Sequence, residues 1–231
     1  MHAELFEANL SKGEQARRRL LMAALEKIGE KGYEGASVRE IADAAGQNVA
    51  AIAYYFGNKE NLYAEVIDGI IAYLGRAFGG LALEAKQLLE AGEMTAGRAA
   101  ELLKEMLRTL LVEHIEREEI GKLRNVMIRE QASPTAAFEK LYARGMKPLH
   151  EFFTRTLAAA SGEDPESHAA IIRSHALFGQ VLGFTVARST ILRRLGAKKL
   201  GSEHSELIAG IIGEHVDLII DGLIRKGKAS A

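Results

Sequence analysis

The stretch Ser37 to Leu62, SVREIADAAGQNVAAIAYYFGNKENL, decides how this chain is read. Ser37 is followed three residues later by Glu40, the spacing of a capping box in which each side chain satisfies a backbone donor at the other's position. A short helix is therefore predicted from Val38 to about Ala45. Gly46 falls where a left-handed residue would end it, and Val49, Ile52 and Phe56 begin a second apolar pattern almost at once. Two short helices joined by a tight glycine turn form a helix-turn-helix, whose second helix enters the major groove of DNA. In that second helix Ile52 and Phe56 share the inward face. Ala50, Ala51, Tyr54 and Tyr55 are left on or near the outside, with Gln47 and Asn48 at its start. Small residues let a backbone come close to base edges, an alanine methyl can meet a thymine methyl, and the tyrosines can reach phosphates or bases. Asn58 is a plausible N-cap for the next helix. Lys59 then places a cation at the positive end of a helix dipole, a poor choice for helix stability but a sensible one where a phosphate will sit.

Outward from this stretch the pattern remains helical. Leu20, Leu21, Ala24, Leu25 and Ile28 mark an amphipathic helix over Lys12–Lys31, stopped by Gly32. Leu62, Val66, Ile70 and Leu74 mark another, which Gly75 or the pair Gly79 and Gly80 is expected to fray or end. Further helical segments are predicted over 81–91, 95–118, 120–131, 134–160, 165–195 and 204–225. Ser133 before Pro134 and Asp164 before Pro165 have the form of helix starts, and Pro148 is expected to kink or break its segment. Gly179, Gly183, Gly210 and Gly213 interrupt the last two helices and suit close backbone approach, while the tail from Arg225 is expected to be unstructured. No strand alternation competes. The expected fold is all-α: an N-terminal three-helix helix-turn-helix domain, residues 1–60, and a larger helical ligand-binding and dimerisation domain, residues 61–231.

Composition bounds the chemistry. The 231 residues are 48% hydrophobic and 26% charged, with 3 prolines and no cysteine, so disulfides, thiolate metal sites and a cysteine nucleophile are excluded. A net charge of −1 gives no global pull toward nucleic acid, so any DNA binding must come from local arrangement. The N-terminal stretch carries Glu4 and Glu7 without an apolar run, and the apolar segment 176–187 is interrupted by Gln180. Neither an export signal nor a membrane span is expected, and the chain suits the cytoplasm. His114, His150, His168, His175, His204 and His215 lack the spacing of a helical metal site, so no metal and no cofactor are expected.

The segment SVREIADAAGQNVAAIAYYFGNKENLY resembles the N-terminal signature of the TetR/AcrR family of transcriptional regulators, over about Lys12 to Val66. That resemblance implies that Ser37 and Lys59 contact phosphates and that Arg39 reaches a base or phosphate. Gln47, Val49, Ala50, Ala51, Tyr54 and Tyr55 would line the groove. Many members carry an aromatic where this chain has Ala53, which shifts the expected load to Tyr54 and Tyr55. The C-terminal segments IREQASPTAAFEKLYARGMKPLHEFF and SHALFGQVLGFTVAR are similar to the CecR subgroup of that family.

The family implies double-stranded operator DNA, a small-molecule effector and a homodimer as partners. The apolar surplus of the last two long helices independently suits a four-helix dimer interface. Arg17, Arg18 and Arg19 cannot all face one partner, because successive helical residues diverge; one or two phosphate contacts, or a solvated face, are open. Arg129 and Glu130 end an apolar segment, and His175, Phe178 and Gln180 lie midway along a very apolar helix. Buried polar groups need partners, which a ligand or an internal hydrogen bond can supply. The reading is a ligand-responsive repressor that binds a palindromic operator. The alternatives are a small all-α enzyme with a merely structural helix-turn-helix, though no nucleophile–base pair or phosphate loop stands out, and a DNA-binding protein without a ligand.

Overall fold

The computed structural model describes residues 11–230. In chain order the helices are α1 (Lys12–Gly35), α2 (Val38–Ala44), α3 (Val49–Phe56), α4 (Lys59–Ala91), α5 (Ala96–Glu116), α6 (Glu118–Ala132) and α7 (Phe138–Leu141). A π-helical turn, Tyr142–Met146, leads into α8 (Lys147–Ser161), followed by α9 (His168–Val186), α10 (Arg188–Leu195) and α11 (Ser202–Ser230). Among the described residues there is no strand. The chain forms two compact units: the chain through Ala77 with Glu118–Met146, and Phe78–Arg117 with the chain from Lys147 onward. The expectation of no export signal falls on residues that lie mostly outside the described ones.

In the first unit α1 packs on α2 and α6, and α2 on α3. Leu20, Leu25 and Ile28 of α1, Ile41 of α2, Ile52 and Phe56 of α3, and Leu62 and Val66 of α4 are all buried. Gly32 does interrupt α1: at φ 81° and ψ 167° it is non-helical, and one further turn follows to Gly35. The break leaves carbonyls of the preceding turn without their usual amide partners. Arg129 of α6 fills the gap, its Nε donating to the Gly29 carbonyl at 2.7 Å and its Nη2 to that of Glu30.

Several helix boundaries differ from the sequence expectation. α4 does not end at Gly75, Gly79 or Gly80 but continues to Ala91. Each interior glycine costs about 1 kcal/mol relative to alanine, and one apolar stripe, Leu62, Val66, Ile70, Leu74, Phe78 and Ala85, is buried along the helix and outweighs that cost. Ser133 and Pro134 do not start a helix, because Thr135 organises that turn instead. The Thr135 hydroxyl accepts from the Ala137 amide at 3.1 Å, and α7 begins at Phe138 without a side-chain cap. Asp164 likewise closes a turn, accepting from the Glu166 amide at 3.0 Å, and Ser167 is the true N-cap of α9, accepting from Ala170 at 3.2 Å. The expected helix 165–195 is broken at Ala187 into α9 and α10. The tail expected to be unstructured is helical to Ser230. Pro148 lies one residue into α8, directly after the π-helical turn, so the expected irregularity is present as a change of helical register.

In the second unit α5 packs against α8, α9 and α11, and α8 against α9 and α11. Leu102, Leu103, Met106, Phe153, Leu157, Leu177, Val181, Ile212 and Val216 form its core. Both α4 and α9 are long and apolar enough to cross a membrane by length and composition, with mean hydropathy 1.5 and 1.2 over their most apolar windows.

Candidate nucleic-acid interface

The helix-turn-helix is held by local hydrogen bonds that the sequence already encodes. Ser37 accepts from the Glu40 amide at 3.2 Å, and the Glu40 carboxylate accepts from the Ser37 amide at 3.0 Å. Lys31, followed by these Ser37 hydrogen bonds, holds the Glu40 carboxyl down to about 2. After α2, Gly46 takes φ 63°, where a side chain would be strained, and the Gln47 amide reaches back to the Ala42 carbonyl at 2.9 Å. Asn48 then caps α3, its Oδ1 accepting from Ala51 at 2.9 Å. Asn58 accepts from Asn61 at 2.8 Å, and Asn61 returns a bond to the Phe56 carbonyl at 2.9 Å, tying the end of α3 to the start of α4.

These bonds fix which face of α3 is presented. Ile52 and Phe56 are only 2% and 5% exposed, whereas Tyr54 is 81% exposed. Val49, Ala50 and Ala53 are also exposed, while Gln47, Ala51 and Tyr55 are half-buried. Spaced by one and three residues, Val49, Ala50, Ala53 and Tyr54 form one stripe on the outer face, with Ala51 and Tyr55 on its flanks. Ala53 thus stands in the middle of the presented face, and its methyl leaves a shallow place beside Tyr54. The two tyrosines brace each other edge to face, 4.9 Å between ring centroids. A Cβ at Gly13, in the first turn of α1, would lie 3.7 Å from the Tyr55 hydroxyl.

The basic residues divide. Ser37 and Arg39 are exposed, and Arg39 shows no side-chain partner among the described residues. Arg17 is turned inward, pairing with Glu65 and lying 5.3 Å over the Phe56 ring, which braces α3 from behind. Arg18 is half-buried with its Nε unpartnered, on a cavity of about 500 Å³ shared with Arg19, Met22, Glu26 and Lys122. Arg19 is exposed. Lys59 has a protein partner: its ammonium donates to the Tyr33 carbonyl at 2.5 Å and lies 4.4 Å over the Tyr33 ring. Tyr33 is in the last turn of α1, the negative end of that helix. A cation at the start of α4 is therefore stabilised without any phosphate, and two of its three donors remain. No motif signals Tyr33 or Arg17 in these roles, since each acts through residues remote in sequence.

The residues considered for a ligand fall into two groups. Arg129 and Glu130 are in the first unit and both have internal partners. The buried Glu130 carboxylate accepts from the Tyr63 hydroxyl at 2.5 Å, the Thr135 amide at 3.1 Å and the Thr135 hydroxyl at 2.9 Å. Burial, then the bond to Glu130, raises the Tyr63 phenol above its usual range. His175, Phe178 and Gln180 are in the second unit. His150 lies 5.6 Å from the His175 ring and 4.9 Å from Phe178, and Gln180 meets His215 at 2.8 Å. Burial, then the charge of His175, lowers His150. A cavity of about 230 Å³ lies between the C-terminal part of α4 and α8, and none of these five residues lines it. Among the described residues no three His, Asp or Glu side chains converge on a metal site.

Residues 20–66 match the family of bacterial regulatory proteins named for TetR, and residues 99–223 match the C-terminal domain of the HTH-type transcriptional dual regulator CecR. The chain is 38% identical over 215 residues to the CecR dual regulator of Shigella flexneri, covering 93% of this chain and 96% of that protein. The crystal structure of HlyIIR, a hemolysin II transcriptional regulator, matches with a TM-score of 0.54 at 26% identity, over 87% of this chain and 98% of that one. AibR, solved with isovaleryl coenzyme A and operator DNA, shares the fold with a TM-score of 0.61 at 21% identity, over 86% and 97% of the two chains. With its helix-turn-helix intact and its C-terminal half matched, the chain belongs to the TetR family of DNA-binding transcriptional regulators, in the branch with a CecR-type C-terminal domain.

Proposed function

We propose that this chain is a cytoplasmic, ligand-responsive repressor that binds a palindromic operator as a homodimer, acting by binding alone and not as an enzyme. The observation that carries the reading is the stripe Val49, Ala50, Ala53 and Tyr54, presented on α3 by the buried anchors Ile52 and Phe56. The DNA-binding segment is residues 1–60. Within it Gln47, Asn48, Val49, Ala50, Ala51, Tyr54 and Tyr55 face the groove, while Ser37, Arg39 and Lys59 hold phosphates. Asn48 meets the groove and Lys59 a phosphate with the donors left over from their internal bonds.

Residues 61–231 supply dimerisation and sensing. On α9, Ile172, Gly179, Gly183 and Val186 follow one helical face, and on α11 Leu207, Ile211 and Leu218 do the same. Ile172, Val186, Leu207 and Leu218 are each at least 60% exposed. A Cβ at Gly179, Gly183 or Gly210 would meet nothing within 4 Å. An open apolar stripe with small residues suits a second copy of the same helices, and this pairing removes the span-like apolar surface of α9 from water. Two recognition helices about 34–36 Å apart, or a multiple of that, would then read half-sites in successive turns. A small molecule favouring another dimer geometry must prefer it by about 5.5 kcal/mol to convert 99:1 into 1:99. Arg129, Glu130, His175, Phe178 and Gln180 are the candidates that the sequence offers for contact with that ligand, the first two of them already held by internal bonds. The relative's dual regulation is that protein's property; occupancy of an operator suffices for repression here.

Gel-shift titration on a palindrome from the gene's own upstream region tests the reading. Wild-type protein is expected to bind it at least ~10³-fold more tightly than random DNA, and Tyr54→Ala to erode that preference. Equal affinity for both DNAs would overturn it.

A further inference from the structure

We propose that the cavity between the C-terminal part of α4 and α8 binds a small organic carboxylate, and that this molecule is the effector; the second clause rests on the regulatory reading above, the first does not. The cavity, about 230 Å³, lies wholly within the second unit. It is smaller than the roughly 300–1,000 Å³ of drug-sized sites, which limits the ligand to a compact molecule. Ala85, Leu89 and Phe152 give it an apolar wall.

Two polar groups on the cavity lack partners. Thr156 is fully buried, lines the cavity, and its hydroxyl has no hydrogen-bond partner. A helical hydroxyl ordinarily bonds the carbonyl one turn back, as Thr154 does to His150 at 3.0 Å and Ser161 to Leu157 at 3.2 Å in the same helix. Thr156 does not, so its hydroxyl is a buried donor and acceptor left unmatched beside the cavity. The second group is Arg155. The other charged side chains on the cavity are already matched, Lys86 with Glu90 at 3.7 Å and Glu151 with Lys147 at 3.8 Å. Among the described residues Arg155 has neither an ion pair nor a hydrogen bond. Of the four charged side chains on the cavity, Arg155 is thus the one without an ion pair among the described residues, and its planar guanidinium fork matches a carboxylate. An anion held at Arg155, an apolar body along Leu89 and Phe152, and one polar group on Thr156 would satisfy all three surfaces.

The test uses the full chain and four probes, hexanoate, benzoate, phenylacetate and 3-hydroxybenzoate, each beside its amide, measured by calorimetry and saturation-transfer NMR. At least one carboxylate is expected to bind and its amide to bind about tenfold or more weakly. Arg155→Gln and Thr156→Val should each weaken the carboxylate about tenfold, and Ala82→Phe, which fills the cavity, should abolish binding. Thr156→Val is also expected to leave the melting temperature of the unliganded protein unchanged or raised, because the hydroxyl has no bond to lose. Arg155 is exposed, so its variant keeps the test valid should the filled cavity fold poorly. The site is refuted if no carboxylate binds, if binding survives Arg155→Gln and Thr156→Val, or if Thr156→Val lowers the melting temperature by several degrees. Operator gel shifts on the same samples separate the claims. Unliganded protein that binds operator while no carboxylate binds overturns the site alone, bound carboxylate without operator release overturns its role as effector, and wild type that fails to bind operator overturns the regulatory reading.

Discussion

Glu130→Ala should destabilise the first unit far more than an average substitution. The carboxylate is 2% exposed and accepts three hydrogen bonds, from the Tyr63 hydroxyl, the Thr135 amide and the Thr135 hydroxyl. Alanine leaves the phenol, on a side chain only 4% exposed, and the Thr135 donors without an acceptor. At ~1–3 kcal/mol for each orphaned buried donor, the phenol and one of the two donors of the half-buried Thr135 amount to about 2–6 kcal/mol, against a total stability of ~5–15 kcal/mol. Tyr63 lies one turn from Lys59, so the same change loosens the start of α4, and operator affinity should fall with it. Urea unfolding followed by circular dichroism gives the loss. A double-mutant cycle with Tyr63→Phe isolates the pair, because removing both partners should cost less than the sum of the single changes. The pH dependence has a definite sign. The raised folded value of Tyr63 means that its contribution is complete below the unfolded phenol value of about 10 and is lost as pH rises through the higher folded one. A loss below ~1 kcal/mol, or strict additivity in the cycle, would refute this account of Glu130.

Lys59→Ala should weaken binding to all DNA sequences and reduce the salt slope by about one, with a modest stability loss because the Tyr33 carbonyl loses its donor; an unchanged slope in salt-series gel shifts would leave Lys59 purely structural. His150 is lowered by burial, so the stability it contributes is present above about pH 6.5 and lost as pH falls through the lower folded value. Thermal melts should therefore decline on acidification, and His150→Phe should flatten the decline. Leu218→Glu, on the open face of α11, should yield a monomer in sedimentation velocity with little change in helicity, and a dimer unaffected by this charge would move the interface elsewhere.

Local signals carried furthest. The bounds of α2 and α3 follow from Ser37 and Glu40, from Gly46 and from Asn48, all acting within a few residues. The same locality misled at Ser133 and Asp164, where proline-adjacent caps were available but Thr135 and Ser167 made the actual bonds. Glycines in α4 read as stops because propensity is local, while the buried stripe that overrides it is a tertiary effect. Partners remote in sequence were not legible. Glu130 meets Tyr63 67 residues away and Arg129 meets Gly29 100 residues away, so the sequence could not distinguish a ligand from an internal bond at either residue. The sequence places a DNA phosphate at the Lys59 ammonium, whereas its partner in the folded chain is a carbonyl of α1. The cavity at Thr156 left no trace in the sequence, since a threonine in an apolar helix ordinarily bonds its own backbone.

The most direct test of the central claim is a hydroxyl-radical and methylation-protection footprint of the wild-type protein on its own upstream palindrome. Two symmetric patches of major-groove protection, separated by about 10 base pairs or a multiple of it, with the contacts at each patch lost in Tyr54→Ala, are predicted. A single patch, or a footprint that Tyr54→Ala leaves intact, would contradict a dimer reading DNA through the exposed face of α3.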